Sequence, residues 1–110
     1  MRVDFCLRRL KWFYQRGKRG YADCDVWAID SYLSRIIPPM LKQFKSVTNG
    51  YPGCEGAATP EEWDKRLDEM VEGWEAAQNV TDWTKASEAD QALFESRMQV
   101  FIKWFFQLWD

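Results

Sequence analysis

The chain contains no histidine, which removes the side chain most used for proton transfer near neutral pH and the commonest metal ligand. Cysteine is scarce as well. Cys6, Cys24 and Cys54 are the only three, they lie far apart, and none belongs to the C-x-x-C pair of a zinc knuckle or redox centre. Isolated thiols in odd number read as buried, reduced side chains of a cytosolic protein. No apolar run reaches the ~18 residues that cross a bilayer, and the N-terminus has no apolar signal core, so no secretion and no membrane partner are expected. Phosphate-binding P-loops, the G-x-S-x-G turn and Gly-rich dinucleotide turns are missing too. Without histidine a Ser or Cys nucleophile lacks its usual base. The chain therefore reads as a non-enzyme without cofactor or metal.

Aromatic residues are present in excess, with seven Trp, seven Phe and four Tyr in 110 residues. Each large ring can bury ~150–250 Å², so a few rings close a small core and any surplus is displayed to a partner. The net charge of -2 hides a division. Residues 1–20 carry seven cations against Asp4, whereas residues 55–95 carry twelve acids against Lys65, Arg66 and Lys85. Such halves imply two surfaces with different partners, two surfaces that attract each other, or solvated helix faces.

Helical spacing dominates the hydrophobic pattern, and no stretch alternates as a strand would. Residues 3–16 read as a basic amphipathic helix with Phe5, Leu10, Phe13 and Tyr14 on one face and Cys6 beside them. Gly17-Lys-Arg-Gly20 reads as a loop. Residues 24–45 give the strongest helical period, with Val26, Ile29, Leu33, Ile36, Ile37, Met40, Leu41 and Phe44 in one stripe that the other segments are expected to cover. Asp23 stands at N-cap spacing and Asp25 in the first turn; a metal site from Asp23, Asp25 and Asp30 is disfavoured because a helix points the three apart. Pro38-Pro39 predicts a kink, or two helical pieces meeting near residue 38.

After a turn-rich loop at 46–58, Thr59-Pro60-Glu61-Glu62 is a start signal. Thr59 caps, Pro60 takes the first helical position and Glu62 returns a bond to the cap nitrogen. This helix runs over about 60–78 with Trp63, Leu67, Met70, Val71 and Trp74 on one face. Ser87 with Asp90 marks the start of the last helix, about 88–109. Its apolar residues spread round most of the circumference, so it is either buried on most sides or partly exposed as a sticky surface. Together these predict a single all-α domain, a small bundle of about four helices with a Pro-kinked central helix.

The stretches WFYQRGKRGYADCDVWAIDSYLSRIIPPMLKQFK, NGYPG, TPEEWDKRLDEMVEGWE and FFQLWD resemble a family of small proteins encoded by tailed bacteriophages and prophages, and the resemblance covers nearly the whole chain. It implies an all-helical phage product acting in the bacterial host cytoplasm and brings no activity with it. Accessory phage proteins of this size often bind and inhibit host defence proteins, an analogy of size and setting.

Two surfaces are candidates for function. The acidic face of the third helix, Glu61, Asp64, Asp68, Glu69, Glu72 and Glu75, is a ladder of charge that would fit a basic groove made for nucleic acid, as in a CRISPR nuclease, which would make the protein an anti-CRISPR inhibitor. Exposed rings near Trp83, Trp104 or Trp109 would supply its apolar anchor. The alternative is nucleic-acid binding by Arg8, Arg9, Lys11, Arg16, Lys18 and Arg19, interleaved with aromatic residues that stack on bases. A self-assembling piece held by the aromatic C-terminal helix, an oligomer, is the remaining reading.

Overall fold

The computed structural model describes residues 2–110, with side chains from Cys6 onward, so the expected place of Phe5 on an apolar face lies outside the described residues. The fold is all-α. Helix α1 spans Arg2–Arg19, a 3-10 turn covers Asp23–Ala28, α2 spans Ile29–Val47, α3 Pro60–Thr81 and α4 Glu88–Trp104, and a second 3-10 turn follows at Phe105–Gln107. α1 passes through Gly17, which the sequence puts in a loop, and ends at Arg19, just before Gly20. Gly20 has φ +87° and donates its N–H to the Arg16 carbonyl at 2.9 Å, a left-handed ending that glycine adopts without a Cβ penalty.

The organiser of the fold is α3 rather than the stripe on 23–45. Thr59 Oγ1 accepts the Glu62 N–H at 3.1 Å and Pro60 opens the helix, as the start signal predicts. Glu62 returns its bond one residue earlier than expected, to the Ala58 N–H at 2.8 Å. The helix then buries Trp63, Leu67, Met70, Val71 and Trp74, the predicted face, together with Gly73, Ala76 and Ala77. Leu67 and Met70 are fully buried, each worth ~1.5–3 kcal/mol relative to exposure.

Helices α2 and α4 pack along the two flanks of α3 and not along each other. The α4 flank is close. A Cβ built on Gly73 would lie 2.4 Å from Arg97 Cβ, so only glycine allows the two backbones this near. The α2 flank uses the prolines. α2 runs unbroken through Pro38 and Pro39, and Pro38, having no N–H, leaves the Ser34 carbonyl without a helical donor. The α3 side chain Gln78 supplies one, Nε2 to Ser34 O at 2.7 Å. Two helical pieces do meet, but at Ala28 (φ −150°, ψ 76°), where the 3-10 turn gives way to α2.

Of the predicted stripe only Leu41 is buried. Val26, Ile29 and Met40 are more than half exposed, at 55, 56 and 61 %. The loop before α3 closes the other end of the core. Ala57 is fully buried, Gly56 at φ +95° lies on the Trp104 ring, where a Cβ would come within 3.2 Å, and Trp104 meets Trp63 edge-on at 5.8 Å. The molecule is flat and long, 56 × 33 × 18 Å, with a radius of gyration of 16.8 Å against about 13 Å for a compact chain of this length. Among the described residues the backbone of helix α1 packs on the 3-10 turn and on no other element.

Candidate binding surfaces

The junction of α1 with the body is polar. Arg16 donates two bonds to the buried Asp25, from Nε at 3.0 Å and Nη2 at 2.7 Å. Asp25 also accepts the Ala22 N–H at 2.8 Å. The Arg16 bond, joined by the Ala22 N–H and opposed by burial, lowers the Asp25 carboxyl to about 2. Asp23, expected to cap a helix, instead binds α1: Gln15 Nε2 at 3.0 Å, Arg19 Nη2 at 2.6 Å and Lys11 Nζ at 3.8 Å. These partners, Gln15 first, hold its carboxyl below the usual range. Trp12 meets Trp27 edge-on at 5.8 Å, and Tyr32 Oη donates to the Gly20 carbonyl at 2.6 Å.

The contacting residues of α1, namely Trp12, Gln15, Arg16 and Arg19, form one stripe spaced three and four apart. Leu7, Leu10 and Tyr14 form another, with Phe13 beside it, and these four are 59, 64, 63 and 78 % exposed respectively. At about 100° per residue the two stripes lie on opposite sides of the helix. α1 therefore docks by its polar side and displays its apolar side. Of the six basic candidates, Arg16 and Arg19 are held by Asp25 and Asp23. Arg8, Arg9, Lys11 and Lys18 are exposed, and the Lys18 ammonium sits 5.8 Å from the Tyr14 ring centre.

The acidic ladder of α3 is largely compensated. Lys45 reaches Asp68 at 2.7 Å, Lys42 reaches Glu75 at 3.4 Å, Arg97 reaches Glu72 at 3.4 Å and Arg66 reaches Glu69 at 2.9 Å. Bonding to Asp68 pushes the Lys45 ammonium above its ordinary value. Glu61 and Asp64 complete the face without a salt bridge among the described residues. Cations from α2, α4 and α3 itself thus neutralise most of what the helix alone displays.

A second apolar surface lies where α2 approaches the chain's end. An open cleft of about 470 Å³ is lined by Ile37, Met40, Leu41, Phe101, Phe105 and Trp109 among others. Edge-on contacts run from Trp74 to Phe101 at 5.5 Å, on to Phe105 at 5.5 Å and to Phe106 at 5.2 Å. Phe106 is 83 % and Trp109 72 % exposed at this lip. Trp83 is exposed on the α3–α4 connection, whereas Trp104, also expected as an anchor, is buried. The three thiols depart from expectation: Cys6 and Cys54 are exposed and Cys24 is half-buried beside Arg16.

Among the described residues no cluster of acids and thiols could hold a metal ion, and no helix is long and apolar enough to cross a membrane. Sequence reasoning missed Leu7, Trp27 and Met40 as displayed side chains. The usable signal for α1 was the polar stripe 12, 15, 16 and 19 facing the acids at 23 and 25. Comparison with protein-family models, with curated proteins and with solved structures gives no match for this chain.

Proposed function

We propose that the protein is a non-enzymatic accessory protein that acts by binding another protein, and that the contact centres on the C-terminal aromatic lip. What supports this reading is the exposure of Phe106 and Trp109 beside an open apolar cleft. Large rings at the edge of a pocket, fixed by ring-on-ring packing behind them, are the residues that carry most of the energy of a protein contact. The α3 carboxylates serve poorly as a mimic of nucleic acid, because four of the six are already paired within the chain. The phage resemblance supports a partner in the bacterial host cytoplasm, and host defence proteins, CRISPR nucleases included, are the class to test first.

The test is capture of purified candidate nucleases and of lysate proteins by the immobilised chain. The wild type is compared with Phe106→Glu/Trp109→Glu and with Asp68→Lys/Glu72→Lys. The reading expects a specific protein to be retained by the wild type and the carboxylate variant and lost by the lip variant. Retention indifferent to the lip overturns it. So does light scattering that shows a dimer broken by Phe106→Glu, since the lip would then be covered by a second copy.

A further inference from the structure

The inverted mounting of α1 is a separate feature. Helix α1 is 18 residues long, about 27 Å, and among the described residues its backbone packs on the 3-10 turn alone. Its outward arc is Leu7, Leu10, Phe13 and Tyr14, all more than half exposed. Lys18 lies along one edge of that arc, beside Lys11, which also reaches Asp23 at 3.8 Å, and Arg9 lies along the other, as a spacing of about 100° per residue places them. From Cys6 to Arg19 the helix carries no acidic side chain. An apolar arc edged on both sides by long cations is what a helix lying in a lipid interface requires. The rings and Leu side chains sink to the headgroup boundary, while Lys and Arg bury their stems and reach up to phosphate.

We propose that α1 is a surface-seeking helix that attaches the protein reversibly to an anionic lipid bilayer. Charge decides against the other occupants. A second copy pairing α1 on α1 would bring like-charged edges together, and four of the six carboxylates on the acidic face of a second copy are already paired with its own Lys42, Lys45, Arg66 and Arg97. A nucleic acid offers phosphate to the cations and base faces to Phe13 and Tyr14, but nothing to cover Leu7 and Leu10. An anionic bilayer supplies both the apolar layer and the negative charge. Among the described residues no helix is long and apolar enough to cross a membrane. Lying on a surface needs only one apolar side and cations at its margins.

The experiment is flotation of the full chain with vesicles of phosphatidylglycerol and phosphatidylcholine in equal parts, and with phosphatidylcholine alone. The protein is expected to float with the anionic vesicles only, and less so as salt is raised. Leu10→Glu/Phe13→Glu should weaken vesicle binding by more than about tenfold, and Lys18→Glu by about tenfold. All three positions are exposed, and unchanged circular dichroism will show the fold intact. Phe106→Glu/Trp109→Glu should float like the wild type, which separates this surface from the lip. The proposal is overturned by absence of flotation, by flotation that ignores the α1 variants, or by a dimer in solution that Phe13→Glu dissociates. Binding to single-stranded DNA that survives Leu10→Glu/Phe13→Glu, without vesicle binding, would assign α1 to nucleic acid instead.

Discussion

Helices α1 and α3 are both amphipathic and of similar length, 18 and 22 residues, yet they are mounted in opposite senses. α3 turns its apolar side inward and meets α2 and α4 on its flanks. α1 turns its polar side inward, where the turn that follows it offers Asp23 and Asp25 to its cations and Trp27 to its Trp12. Periodicity fixes which side of a helix is greasy. Which side faces the protein is decided by what the neighbouring element needs: the carboxylate buried at the junction would be left unpaired without the bidentate arginine that α1 brings.

The sharpest way to break this comparison is to make one change in both helices. Leu67→Ala, in the fully buried position on α3, should cost ~2–5 kcal/mol in urea unfolding. Leu10→Ala, the same change at a position 64 % exposed, should stay within about 0.5 kcal/mol of wild type. Equal losses would mean that the outer side of α1 is covered in solution.

The glycines give a smaller contrast of opposite sign. Gly73→Ala drives a Cβ into Arg97 and should destabilise by ~1–3 kcal/mol. A Cβ on Gly17 meets nothing within 4 Å, so Gly17→Ala should firm α1 by about 0.5–1 kcal/mol, read as slower amide exchange in that helix.

The smallest global effect is expected from acid. The Asp25 carboxyl is held at about 2, below its ordinary 3.8. Its contribution is therefore present above about pH 4 and is lost as pH falls through about 2. Amide exchange followed between those values should show α1 opening before α3, and Asp25→Asn should open α1 already at neutral pH. Simultaneous opening of both helices would refute the independence of the two regions.

Much of the fold was legible in the sequence because local chemistry declares it. Thr59-Pro60 and Ser87 cap helices where their spacing says they should, and the five apolar residues of α3 are all buried. What could not be read depends on residues far apart in the chain. Asp23 and Asp25 both suit a first turn, and only Arg16 singles out Asp25 for burial. The α3 ladder looks anionic on its own strand of sequence, yet Lys42, Lys45 and Arg97 arrive from two other helices to pair with it. Gly17 and Gly20 both resemble helix stops, and only one of them takes a left-handed φ. Exposure of the C-terminal rings was one of two alternatives left by an apolar pattern that circles α4, and α2 settles it by packing on α3 instead.

The bond from Gln78 to the Ser34 carbonyl has a consequence for alignment. Apolar contact is non-directional and does not by itself name one alignment of α2 on α3. The oxygen left bare by Pro38 does: after a slide of one turn, about 5.4 Å, it would be displaced from the amide and stay sequestered without a donor, at ~1–3 kcal/mol. A proline that weakens its own helix thereby acts as a keyhole, admitting one registration of the pair and rejecting its neighbours.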